Sequence, residues 1–230
     1  MLFRSSGGFS NTSAATTFLY IGHADGITAT GTGAGNIQVG GTRTYGVLAN
    51  YIYYGNAAQV TGTGLPTAAT GTLTIDNPTS VSLSASTTNS NVGTPLTINQ
   101  GLFILGNSSY TMSAAASSLG GSGFSTTKMI VADGSGAFVK AFTTGASSFV
   151  FPVGDTTNGS NYSPVTLNFT ANSTGRNIGV RVTDTRHPQD VLTSDYLTRF
   201  WSVTSSSTAG TYTLDRSEER RVGKECRSRW

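Results

Sequence analysis

Leu73-Thr74-Ile75-Asp76-Asn77 returns as Leu96-Thr97-Ile98-Asn99-Gln100, displaced by 23 residues. Each copy is followed by a second apolar run, Val81-Ser82-Leu83 and then Phe103-Ile104-Leu105, displaced by 22, and Tyr51-Ile52-Tyr53 precedes the first copy by 22. A period in the range of about 20 to 50 residues marks units that cannot bury their apolar face alone and must stack on one another. Short strands separated by Asn, Gly and Pro turns at this period suit one coil of a parallel β-solenoid. Inward Leu and Ile would then stack on the same positions of the next rung, with Thr and Asn facing out. A β-sandwich with similar strand spacing is the alternative.

After the Gly/Ser/Thr stretch from Ser117 to Thr127 the pattern changes. KMIVADGSGAFVKAF reads as a hairpin, Met129–Ala132 and Ala137–Phe142 joined by Asp133-Gly134-Ser135-Gly136, because Asp-Gly between apolar alternations favours a tight turn. FVFPVG, SPVTLNFT, NIGVRVT, RFWSVT and GTYTL follow without repeating, as strands of an antiparallel sandwich do. The expected fold is therefore all-β: a solenoid-like region over 1–124, then an Ig-like β-sandwich module over 125–215, incomplete at its end. Ser113–Leu119 is the only helix candidate, and it is short.

The last fifteen residues, Arg216 to Trp230, break with everything upstream: they hold every Glu and the only Cys. They resemble the translation of a sequencing adapter, so 216–230 is set aside as a non-native tail and the rest is expected to be a fragment ending near Asp215. The formal charge of +3 comes from this tail; without it eight basic and eight acidic residues remain. Those eight bases (Arg4, Arg43, Lys128, Lys140, Arg176, Arg181, Arg186 and Arg199) are scattered, which speaks against a nucleic-acid surface. Without Cys226 there is no disulfide framework and no thiolate metal site. No run of about eighteen apolar residues is present to insert as a membrane helix.

A resemblance covers roughly residues 45 to 213. YYGNAAQVTGTGLP at 53–66, GTLTIDNPTSVSLSAS and LTINQGLFILGN in the first half are followed in the second by VADGSGAFVK (131–140), FVFPVGD (149–155), YSPVTLNFT (162–170), GVRVTDTRHP (179–188) and YLTRFWSVT (196–204). In this order they resemble a recurring module of large secreted, adhesin-like surface proteins of Bacteroidetes-type bacteria, clients of the type IX secretion system. The resemblance implies solenoid-like repeats leading into an Ig-like module, and secretion to the cell surface. Most members carry no assigned catalytic activity. The chain ends before any sorting domain.

Chemistry-bearing groups are few. His187, with Arg186, Asp184 and Pro188, is the densest ionisable cluster; it reads either as a base oriented by Asp184 or as a solvated loop. His23 near Asp25 lacks further ligands. Asp133-Gly134-Ser135-Gly136 begins like a calcium loop but lacks the further oxygens and closing Glu that an EF-hand needs, so a turn is the simpler reading. Asp155 is a loop acid on the same argument. In 1–124 the only acids are Asp25 and Asp76, whereas glycoside hydrolysis requires two facing carboxylates. The alternation of Asp76 with Asn99 reads as a turn or an asparagine ladder. Tyr45, Tyr51, Tyr53 and Tyr54 could stack on sugars, although Tyr51 and Tyr53 share one strand face and core packing is the simpler role. Trp201 reads as the core aromatic of the sandwich. No catalytic, cofactor-binding or metal residue is assigned, and no ligand is named.

The resulting expectation is a non-catalytic fragment of an exported bacterial surface protein, serving adhesion or display. Its partner classes are glycans or surface proteins, without nucleic acid or membrane insertion. The alternatives are a carbohydrate-binding or carbohydrate-active β-helix protein and a purely structural spacer.

Overall fold

The computed structural model describes residues 3–11, 16–31, 34–116, 118–191, 198–207 and 211–217. The chain is all-β, with no helix among the described residues. Its strands open with β1 (Phe3–Ser5), β2 (Phe9–Ser10), β3 (Phe18–Ile21), β4 (Ile37–Val39), β5 (Arg43–Thr44) and β6 (Asn50–Tyr53). They continue through β7 (Gln59–Val60), β8 (Ala68–Ala69), β9 (Leu73–Ser82), β10 (Thr87–Asn89), β11 (Leu96–Ile104) and β12 (Tyr110–Met112). Then come β13 (Lys128–Val131), β14 (Phe138–Phe142), β15 (Ser147–Phe151), β16 (Val153–Asp155) and β17 (Asn161–Tyr162). The series ends with β18 (Val165–Asn172), β19 (Arg176–Thr183), β20 (Phe200–Ser205) and β21 (Tyr212–Ser217). The helix candidate at Ser113–Leu119 contains instead a turn closed by the Ala116 N–H donating to the Ser113 carbonyl, 3.2 Å; residue 117 lies outside the described set.

The two large sheets are built by parallel pairing between successive turns of the chain, and the two-stranded sheets β1-β4 and β2-β5 are parallel as well. The larger runs β3-β6-β9-β11-β13-β16, every step parallel, and β17 closes it antiparallel. The other runs β8-β10-β12-β14, again parallel throughout. The repeat read in the sequence is the register itself: Tyr51 pairs with Leu73, which pairs with Leu96, and Tyr53 with Ile75, which pairs with Ile98. Val81, Phe103, Ile130 and Val153 make a second inward column. All of these side chains are buried, Ile75, Leu96, Ile98 and Phe103 at 0% exposure. Alternation on a strand sends every second residue inward, and stacking like on like lets each rung close the apolar face of the one before.

The expected hairpin over 129–142 does not form. β13 and β14 lie in different sheets, each parallel to a strand of the preceding turn, β11 and β12 respectively. The Asp-Gly-Ser-Gly segment is a corner stacked on the corner below it. Gly136 N–H donates to the Gly106 carbonyl at 3.0 Å, and Ser135 Oγ donates to Asn107 Oδ1 at 2.9 Å. A Cβ on Gly134 would lie 2.2 Å from the Gly106 oxygen, and one on Gly136 would lie 2.0 Å from that of Ser108. The glycines thus serve close approach between backbones, a requirement that looks identical to hairpin chemistry in sequence. In each sheet a parallel ladder joins a strand before residue 124 to one after it, β11 to β13 and β12 to β14.

A second corner explains the Asp76/Asn99 alternation differently from the ladder reading. The β9–β11 register slips between Ile98 and Gln100, so Asp76 pairs with Gln100 and Asn99 is the extra, exposed residue. The buried amide at this corner is Asn77, with 0% exposure. Its Nδ2 donates to the Ala57 carbonyl (2.7 Å) and to Gln59 Oε1 (2.9 Å), while its Oδ1 accepts from the N–H groups of Thr79 and Ser80. Gly101 sits over it at φ +74°, where a Cβ would come within 1.8 Å of the Asn77 carbonyl oxygen. Buried polar groups must be paired, and this amide pairs backbone that a bend has released from the ladder.

After β14 the pairing turns antiparallel except for β16, which continues the larger sheet parallel to β13. β19 pairs with β14 and with β20, and a three-stranded sheet β15-β18-β21 lies alongside. Pro152 separates β15 from β16, which join different sheets. Phe142 meets Phe169 edge-on at 4.9 Å, and Phe138 meets Phe151 at 5.7 Å. One continuous apolar cluster extends from Ile21 to Val182. β21 carries its ladder into the first two residues of the segment set aside as non-native, Arg216 opposite Leu167 and Ser217 opposite Thr166; residues 218–230 lie outside the described set.

Candidate functional site: an aromatic face and a buried ionic cluster

Strand β3 alternates Phe18 and Tyr20 outward with Leu19 and Ile21 inward. Phe18 and Tyr20 are each 57% exposed, and two residues along a strand places them about 7 Å apart. Tyr54, just past the adjacent strand β6, stands 6.1 Å from Tyr20 with the rings at 79°. Gly22 forms the floor beneath it, since a Cβ there would lie 3.3 Å from Tyr54 Cζ. Three large rings, two on β3 and one just past β6, form an exposed apolar step. The alternation in Phe-Leu-Tyr-Ile was the available signal for Phe18 and Tyr20, which the tyrosine cluster at 45–54 overshadowed.

Within that cluster the residues divide. Tyr51 and Tyr53 are core, at 1% and 0% exposure, their hydroxyls donating to the carbonyls of Gly46 and Thr61, each at 2.7 Å. Burial pushes the Tyr51 hydroxyl up to about 12 and raises that of Tyr53 as well. Tyr45 is half-buried against Phe9, and its hydroxyl donates to the Thr28 carbonyl. Only Tyr54 joins the exposed face. Trp201 packs against the core, half-buried, with its indole N–H donating to the Ser163 carbonyl at 2.8 Å.

Asp155 is a buried charge rather than a loop acid. It ends β16 with no exposed surface, and its Oδ2 lies 3.1 Å from Arg199 Nε, too far off axis for a hydrogen bond. Arg199 also reaches Asp184 Oδ1 at 3.2 Å, and Asn158 Nδ2 donates to Asp184 Oδ2 at 2.7 Å. Burial raises the Asp155 carboxyl above the ordinary range, partly countered by the Arg199 guanidinium. Asp133, on the preceding corner, accepts from the N–H and hydroxyl of Thr156 at 2.9 and 3.0 Å. The cluster thus ties consecutive turns and the approach to β20 together.

Asp184 is therefore engaged with Arg199 and Asn158 rather than orienting His187. His187 is exposed, its Nδ1 accepts from the Gln189 N–H at 3.2 Å, and its ring meets the Phe200 ring edge-on at 4.8 Å. His23 Nδ1 accepts from the Asp25 N–H at 3.1 Å in a local turn. Among the described residues no group of three or more His, Cys, Asp or Glu is arranged to hold a metal ion, and no helix is long and apolar enough to cross a membrane. No protein-family model, no curated protein and no solved structure matches the chain.

Proposed function

We propose that this chain is a non-catalytic part of an exported bacterial surface protein, a β-solenoid stalk passing into a sandwich-like module and serving adhesion or display. The exposed step of Phe18, Tyr20 and Tyr54 carries the binding half of this reading. Aromatic rings bring a large apolar surface and, in tyrosine, a polar rim, which suits the apolar face and surrounding hydroxyls of a sugar ring. Glycans are accordingly the proposed ligand class. The stalk half is supported by parallel register at 22–23 residues per turn over Tyr51, Leu73 and Leu96. The non-catalytic assignment is supported by the engagement of Asp133, Asp155 and Asp184 with Thr156, Arg199 and Asn158. The resemblance of residues 45–213 to adhesin-like surface proteins agrees with it.

Glycan-array binding by the full chain, repeated with Tyr20→Ala and Tyr54→Ala, tests this directly. Binding that both substitutions weaken is expected. Absence of binding across the array would leave the spacer reading, and release of reducing ends or unsaturated sugars would replace the proposal with an enzyme.

A further inference from the structure

β14 points Phe138, Lys140 and Phe142 inward, so a lysine occupies a core position between two phenylalanines. Lys140 is 6% exposed. Its Nζ donates to the carbonyls of Ser113 and Ala141 at 2.8 and 2.7 Å and lies 5.7 and 6.0 Å from the ring centroids of Phe142 and Phe149. No carboxylate among the described residues pairs with it. An ammonium carries three donors, so one remains after the two carbonyls. Beside it opens a pocket of ≈ 160 Å³ whose lining includes Lys140, Ser147, Ala116, Phe142 and Phe149. The Ser147 hydroxyl is buried without a hydrogen-bond partner, as is that of Ser113, whose carbonyl holds Lys140. A single ordered water needs only about 10–15 Å³, so the space admits a small organic molecule.

We infer that this pocket binds a small monocarboxylate with an apolar body. The carboxylate would accept from the free Lys140 N–H and the Ser147 hydroxyl, and the body would lie against Ala116, Phe142 and Phe149. A buried cation without a counter-charge is unfavourable unless paired, and desolvation lowers the Lys140 pKa; an incoming carboxylate supplies the missing charge. A charge-assisted hydrogen bond is also about twice as strong as a neutral one. Inorganic phosphate fits this chemistry poorly, being heavily hydrated and offering the apolar walls nothing. The inference is independent of the aromatic face, which belongs to the opposite end of the stack.

The test uses saturation-transfer NMR and calorimetry on the full chain with butyrate, benzoate and inorganic phosphate. Saturable binding of both acids, with phosphate far weaker, is expected. Lys140→Met keeps the volume while removing the buried cation, so it should stay folded by circular dichroism and lose acid affinity by about tenfold or more, the loss of a charged hydrogen bond. Ser147→Ala should weaken the acids by a smaller factor. Failure of both acids to saturate, affinity unchanged in Lys140→Met, or phosphate binding as tightly as the acids would each overturn the inference. Should Lys140→Met fail to fold, unchanged affinity in Ser147→Ala would also overturn it.

Discussion

Leu96→Ala is the sharpest probe of the stacked core. Leu96 is fully buried, paired with Leu73 on the turn before. The substitution removes three carbons, about 2.4 kcal/mol of transfer free energy at about 0.8 kcal/mol each. Leu73 is itself held in a ladder on both of its sides, to Tyr51 and to Leu96, which limits collapse, and the residual cavity brings the expected loss to about 3–5 kcal/mol. In a chain of this size that corresponds to a fall of roughly 6 to 20 °C in melting temperature, at about 2–4 °C per kcal/mol. Thr97, the next residue, is half-buried and faces the other way, and Thr97→Ala should cost under about 1 kcal/mol. Urea titration followed by circular dichroism measures both, with the slope of the transition checked for constancy. Equal losses at the two positions, or a loss below about 1 kcal/mol at Leu96, would refute inward stacking.

Two further outcomes follow from the same structure. Of the nine tyrosines, Tyr51, Tyr53 and Tyr110 are buried with raised pKa values, Tyr51 to about 12. Their neutral hydroxyls stabilise the fold fully below pH 10, and that contribution is lost as the pH rises through their shifted values. Phenolate absorbance should therefore show a delayed group that titrates with unfolding, and simultaneous titration of all nine near 10 would contradict their burial. Separately, dividing the chain after residue 124 should leave both pieces aggregating, because β11 and β12 lose their ladders to β13 and β14 and exposed edges associate. Two monodisperse, cooperatively melting halves in size-exclusion chromatography and calorimetry would show that the ladders across 124 are dispensable.

The inward columns were legible because Leu73/Ile75 and Leu96/Ile98 occur at matched spacing, and period and register are then one quantity. The continuation was not legible because the spacing stretches: Gly101 pairs with Lys128 and Tyr110 with Phe138, steps of 27 and 28 residues. The extra residues fall in a Gly/Ser-rich stretch that hides the repeat. Asp-Gly-Ser-Gly then supplied hairpin chemistry at a place where glycine serves rung-to-rung contact. Among site residues, the core role of Tyr51 and Tyr53 followed from alternation. The Asp155–Arg199–Asp184 cluster did not, since Arg199 lies 44 and 15 positions from its two carboxylates and meets them only in the fold. Lys140 was placed only among the scattered bases, although period two in Phe-Val-Lys-Ala-Phe sets it on the same face as the two phenylalanines.

Parallel pairing between successive turns also sets how the protein answers tension. A pull along the stacking direction loads one ladder at a time, since each turn touches only its neighbours. A turn of 23 residues, such as the one from Leu73 to Leu96, adds only about 5 Å to the stack yet extends to roughly 75–80 Å when freed. The expected response to such a load is therefore lengthening in discrete steps, one turn at a time. At the far end β19 crosses antiparallel to β14, so peeling there must break a ladder whose strands run in opposed directions.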